Sequence, residues 1–243
     1  MRKKGKSLLH PLVKTRLHEE IMEQLKDKII RGDLHPGSRL PPERDLAGQL
    51  KVNRTTVREA LHKLESMGLV EIKHGNGIFV RDFLESGSLE LARQLLFLDG
   101  RVNIQILGNL LDLRRLLVPE ISYCAALHRS EKDLEELERI VGNEGMPIAE
   151  KDWRVHNLIA RASGNVLFVI LLNSFTGLTR DSSQAYFEIK KNRQRSIKFH
   201  REIYEAIKQR DASQAKQIMY DVLLFAEEAT LKARGINVER REQ

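Results

Sequence analysis

The sequence predicts a mainly α-helical protein in two parts: three short helices closed by a β-hairpin, then an all-α helical bundle. Three observations carry that expectation. Gly and Pro turn signals crowd the first 82 residues, at Gly32-Asp33, Pro36-Gly37, Pro41-Pro42 and Gly75-Asn76-Gly77, and thin out afterwards. Beyond residue 82, apolar residues recur at helical spacing through long segments. The charge is also divided. Residues 1–82 hold 17 Lys and Arg against 11 Asp and Glu, so +6 of the chain's net +7 lies in its first third.

Each element follows from local chemistry. Leu17, Ile21, Leu25, Ile29 and Ile30 form a helical stripe that stops at Gly32. Pro41-Pro42-Glu43-Arg44-Asp45 reads as a helix start, with Pro in the first turn followed by acids, and that helix ends near Leu50. Asn53 caps a third helix, whose Val57, Ala60, Leu61 and Leu64 recur at i, i+3, i+4 and i+7 before Gly68. Val70–Lys73 and Ile78–Arg81 alternate in period two around His74-Gly75-Asn76-Gly77, as a β-hairpin does. After residue 82 only helices are expected, at about 86–98, 103–128, 131–142, 147–162, 166–180, 186–209 and 212–233. Gly164-Asn165 marks one break, and Asp211 a cap for the last helix. The ends, to about His10 and from Gly235, are expected to fray.

Composition sets outer bounds. With 243 residues, 41% hydrophobic and 31% charged, the chain can build a real core in one large or two small domains. No apolar run reaches the ~18 residues of a membrane span, and MRKKGKSLLH lacks the apolar stretch of a signal peptide. Cys124 is the single cysteine, so no intrachain disulfide is possible and a reducing cytoplasm is expected. A disulfide scaffold, an integral membrane protein and a collagen-like repeat are excluded. An enzyme is not.

Three helices and a hairpin, with helices two and three joined by a three-residue turn, describe a winged helix-turn-helix. The inward stripe of the third helix leaves Arg54, Thr55 and Arg58 on its other side. One turn apart, both arginines can enter a major groove, where an Arg fork matches guanine O6 and N7. Asn53, Thr55 and Thr56 stand at the helix N-terminus, which suits a phosphate. Any one of these residues alone reads as an ordinary solvated charge or hydroxyl. The whole pattern, on the basic third of the chain, reads as a DNA-binding face.

The run PGSRLPPERDLAGQLKVNRTTVREALHKLESMGLVEIKHGNGIFV (36–80) resembles the N-terminal domain of the GntR family of bacterial transcription regulators. The likeness extends over about residues 10–82, the DNA-binding domain expected here. It implies that Arg44, Arg54, Thr55, Thr56, Arg58 and the wing-tip pair His74-Gly75 contact DNA, the wing tip in the minor groove. Asn53 stands where Ser or Thr is common, which still permits a cap and a phosphate bond. The resemblance also implies a homodimer on an inverted repeat.

In the second part, polar residues turn inward. Arg114 shares the apolar stripe of Leu107, Leu110, Leu111, Leu117, Val118 and Ile121. It reads either as a structural ion pair or as a grip on an anionic ligand. Asp152 and His156, four apart, share a face with Ile159, and His200 lies with Ser196, Ile203 and Ile207. A hydrogen-bonded core histidine is one reading and a metal site the other.

LDLRRLLVPEISYCAALH, DWRVHNLIARASGN and FHREIYEAIKQRDASQAKQIM resemble the FCD ligand-binding domain of the FadR subfamily, over about 103–233. Residues 83–102 are then a linker with a first connecting helix. The resemblance implies an effector cavity with Asp152, His156 and His200 at its base, and the helix-face reading adds Arg114 as a candidate effector-binding residue. The resemblance also implies a divalent metal (Zn²⁺, Ni²⁺ or Mn²⁺) on Asp152, His156, His200 and a fourth histidine, whose place is taken by Val222. Weak metal occupancy or none is therefore expected.

The leading expectation is a DNA-binding regulator, a repressor or an activator, governed by a small anionic effector. The alternative is a metal-dependent hydrolase tethered to DNA. No nucleophile or further general base accompanies the three ligands, which disfavours it. An architectural nucleoid protein is disfavoured by base-reading arginines, and an aminotransferase-like fusion by length and by the lack of strands after residue 82.

Overall fold

The computed structural model describes residues 17–98 and 101–233. The chain divides into two compact units, meeting at Val102 and Asn103. Among the described residues of the first, α1 (Leu17–Ile30), β1 (Arg39–Leu40), α2 (Glu43–Leu50) and α3 (Arg54–Ser66) precede the wing strands β2 (Val70–Lys73) and β3 (Gly77–Val80). Val57, Ala60, Leu61 and Leu64 of α3 are fully buried, and α1 and α2 pack against that stripe. The hydrophobic core is thus organised around the inner face of α3, which leaves its outer face to solvent.

Local chemistry fixes the α2–α3 turn. Lys51 closes α2 in the left-handed conformation at φ 53°, and its amide and that of Val52 return to carbonyls of the last turn. Asn53 then caps α3, its Oδ1 accepting from the Thr56 amide at 2.8 Å. The wing pairs antiparallel with Val70 opposite Val80 and Ile72 opposite Ile78, and the Ile72 amide donates to Glu65 Oε1 of α3. The strand order is β1-β3-β2. β1 is an element that the sequence did not signal: two residues are too few for a period.

The single helix expected at 86–98 is not formed. The chain instead makes α4 (Phe83–Ser86), α5 (Leu89–Leu95) and a small antiparallel pair, β4 (Phe97–Leu98) and β5 (Arg101–Val102), so strands do follow residue 82. The cause is tertiary. The Ser86 hydroxyl donates to Gly68 O and the Ser88 amide to Met67 O, which pins the chain at Gly87 to the end of α3. Leu91 is buried in the same core as α3, with Phe83 and Leu95 packed against it.

The second unit contains α6 (Ile104–His128), α7 (Glu131–Gly142), α8 (Ile148–Ala162), α9 (Val166–Glu188), α10 (Lys190–Lys208) and α11 (Ala212–Ala233). Its core runs through Ile121, Val155, Phe199, Ile203 and Met219, with α6 lying along α11. Gly164 at φ +77° and the Asn165 cap make the expected break before α9, and Asp211 Oδ1 caps α11 by accepting from the Gln214 amide. α9 continues to Glu188 rather than stopping near 180. The Asn192 and Arg193 side chains donate to the carbonyls of Tyr186, Phe187 and Glu188, closing α9 there and delaying α10 to Lys190.

Candidate functional site

The outer face of the first unit carries Arg54, Thr55 and Arg58 on α3, with Arg44 on α2 and His74-Gly75 at the wing tip, all exposed. Gly75 sits at φ +77° with open space where a Cβ would point, so the backbone at the tip is bare. Asn53 is committed locally: its Oδ1 accepts from both the amide and the hydroxyl of Thr56. The Thr56 proton is therefore spent inside the protein, and the Asn53 amide nitrogen and the Thr55 hydroxyl are open side-chain donors at this helix end.

Arg58 is held by a residue that the sequence had marked only as part of a helix start. Glu43, the first residue of α2, accepts from Arg58 Nε at 3.1 and 3.2 Å and from Nη2 at 2.8 Å. The hydrogen bond and charge of Arg58 lower the Glu43 pKa against a smaller opposing effect of burial.

In the second unit, α8 and α10 bring Asp152, His156 and His200 together. His200 Nε2 lies 3.0 Å from Asp152 Oδ1, the Ser196 hydroxyl donates to the same oxygen, and His156 Nε2 is 3.8 Å from Oδ2. The His156 ring stacks on Phe199 at 5.3 Å between centroids. Val222 is buried. Burial pushes the Asp152 carboxyl up, but the His200 hydrogen bond, the His156 and His200 charges and the Ser196 hydroxyl outweigh it and hold it at about 2. Burial also pulls His156 down to about 4, with Arg114 and His200 adding to the fall and Asp152 opposing it. The pair is thus a carboxylate facing a neutral imidazole near pH 7.

Arg114 of α6 is half-buried and makes no hydrogen bond or ion pair with any described residue. Desolvation lowers its pKa, opposed by the charges of Asp152, Tyr186 and Glu227. Tyr186 is raised to about 12 by burial and by Asp152. Ser196, bonded to Asp152, and Tyr186, in the field of Asp152 and Arg114, join the candidate group, and sequence reasoning did not single either out. Tyr186 fell at a supposed helix boundary, and Ser196 read as one more position on an inward face.

As placed, these residues do not fit a divalent metal. A ligating imidazole normally donates its second ring nitrogen to a partner, yet Nδ1 of both His156 and His200 is buried with none. Asp152 Oδ1 is already taken by His200 and Ser196. Among the described residues no group of three or more His, Cys, Asp or Glu is arranged to hold a metal ion, and no helix there is long and apolar enough to cross a membrane.

A winged helix-turn-helix with a basic outer face, joined to a helical domain with an inward Arg, defines a DNA-binding transcription regulator. The chain belongs to the GntR family of bacterial regulators, in its FadR-type branch. The family model "Bacterial regulatory proteins, gntR family" matches residues 17–80, and the FCD domain model matches 109–224. The regulator Mce2R of Mycobacterium tuberculosis is 31% identical over 227 residues, spanning 90% of this chain and 93% of its own. The Uxu operon transcriptional regulator of Escherichia coli is 32% identical, with 86% and 84% covered. A fatty acid metabolism regulator of Shewanella frigidimarina is 32% identical, with 76% and 78% covered. The solved structure of Lar from Listeria monocytogenes shares the fold at a TM-score of 0.50 and 17% identity, covering 95% of this chain and 99% of Lar. Family and relatives are regulators and not enzymes, which sets the hydrolase alternative aside.

Proposed function

We propose that this cytoplasmic regulator binds an inverted-repeat operator as a homodimer and releases or tightens it in response to a small anionic effector held by Arg114. Arg54 and Arg58 read bases, while Arg44, the Asn53 amide, Thr55 and the Thr56 end of α3 position phosphates, and His74-Gly75 enters the minor groove.

The observation that carries the effector reading is Arg114. A half-buried guanidinium without an ion-pair partner among the described residues is costly, and a bidentate carboxylate would relieve that cost. The Asp152 carboxylate repels an anion, so the carboxylate end of the effector belongs at Arg114 and a hydroxyl or amide end near the Asp152–Ser196–His200 group. The orphaned His156 and His200 Nδ1 atoms are acceptors for such a donor when the other ring nitrogen carries the proton. One relative is named a fatty acid metabolism regulator, which agrees with a carboxylate as the effector's anionic group.

The test is a thermal-shift screen of short carboxylates, sugar acids and acyl derivatives on the full chain. At least one anion should raise the Tm of the wild type and leave Arg114→Ala unmoved. A hit that stabilises both proteins equally, or a hit confined to cations, would overturn the assignment of Arg114.

A further inference from the structure

We propose that Glu43 is a positioning residue for DNA readout: it holds Arg58 as a rigid fork and thereby sets base specificity at one operator position. The inference rests on the base-reading role of Arg58 proposed above. Glu43 has no part in that reading.

The guanidinium has two edges that can donate a parallel pair of N–H bonds. Glu43 fills one of them, through Nε and Nη2 at 2.8–3.2 Å. The other, formed by Nη1 and the second Nη2 proton, has the spacing that fits guanine O6 and N7. Arg58 is 58% exposed and its own helix offers it no partner, so without Glu43 it would sample many rotamers. Glu43 is 26% exposed and stands in the first turn of α2, where the helix dipole favours a carboxylate. Its cost to the protein is plain: it adds negative charge to a face that meets phosphates, and removing it should tighten binding to DNA in general. A residue kept only for solubility or nonspecific affinity would not be built this way.

The opposite role is a latch that withholds Arg58 from DNA, and the two roles differ in sign. The experiment selects bound duplexes from a random pool with the full-length wild type. It then measures the affinities of wild type, Glu43→Ala, Arg58→Ala and the double variant for the selected duplex. The same proteins are titrated with that duplex changed one base pair at a time, and with random-sequence DNA. Arg58→Ala should lose discrimination at one G·C pair per half-site, by about ten-fold. Glu43→Ala should lose most of the same discrimination at the same pair while binding random DNA as well as or better than wild type. The double variant should be no less specific than Arg58→Ala, because Glu43 acts through Arg58.

Several results would overturn the proposal. One is a Glu43→Ala loss that is equal on all duplexes, which marks a structural role. Others are tighter binding with discrimination kept, which marks a latch, or a Glu43→Ala effect that persists without Arg58. If Arg58→Ala alters no single position, Arg58 does not read a base and both readings fall. If Glu43→Ala does not fold, Glu43→Gln, which keeps one acceptor and loses the charge, takes its place and should show an intermediate loss at the same pair. A wild type that selects no sequence would fail the DNA reading itself, a different outcome from a wild type that selects normally while Glu43→Ala matches it.

Discussion

At the scale of single residues, what decides function is which polar atoms are already spent. Asn53 and Thr56 spend theirs on the helix cap, Arg58 spends one edge on Glu43, and Arg114 spends nothing on a described neighbour. His156 carries a pH consequence. Its folded pKa is about 4, while an unfolded histidine titrates near ~6.5. Between those values the unfolded chain binds a proton that the folded chain does not, so stability falls as pH drops from ~6.5 towards 4. Asp152, held at about 2, works in a lower window: it stabilises the fold above ~3.9 and loses that contribution only as pH falls towards 2. Denaturant unfolding of the wild type should therefore show a loss between pH 7 and pH 5 to which His156 contributes about 2 kcal/mol. His156→Gln should have a shallower slope over the same interval. Parallel slopes for the two proteins would remove His156 as the source.

At the scale of elements, legibility followed the range of the interaction. α3 and the wing were readable because a 3.6-residue stripe and a period-two alternation each lie within a dozen residues. Glu43 and Arg58, 15 apart, and Asp152 and His200, 48 apart, share no such period, and only the fold places them together. The same limit explains the segment after residue 82. Its composition favours one helix, but hydrogen bonds to the end of α3 divide it into α4 and α5. Gly68 makes that docking possible. It stands at φ +79°, and a Cβ there would lie 1.9 Å from the backbone oxygen of Ser86. Both the conformation and the contact reject a side chain. Gly68→Ala should cost more than ~2 kcal/mol of first-unit stability and speed proteolysis near Gly87, whereas Gly48→Ala, in a helix with open space around it, should be neutral or slightly stabilising. Equal melting of the two variants would show that the α4 contact adds nothing to the unit.

At the scale of the whole molecule, the question is how one small DNA module becomes specific. A single such module buries about 600–1,000 Å², too little for tight operator binding, whereas two linked modules on an inverted repeat gain through effective concentration. The homodimer proposed above needs a contact face, and the exposed apolar residues of the helical unit are the candidates. Leu113 and Leu116 of α6 are 48% and 73% exposed, and Val166, Leu167 and Ile170 at the start of α9 are 68%, 63% and 52% exposed. α6 and α9 touch, so the two groups lie on packed helices of the same unit, Val166 and Leu167 toward the His128 end of α6 and Leu113 and Leu116 about three turns or more away. A two-fold interface is self-complementary, so in the proposed dimer exposed apolar side chains of one helical unit would be covered by the same helices of its copy. Sedimentation at micromolar concentration should accordingly give a dimer for the wild type. The double variant Leu116→Glu with Ile170→Glu should be a monomer with unchanged helical circular dichroism, and its affinity for the selected operator should fall by at least 100-fold. Its affinity for a single half-site should stay as it was, because α3 and the wing are untouched. A double variant that remains dimeric would move the interface to another face, and a wild type that is monomeric both free and on the operator would end the dimer reading altogether.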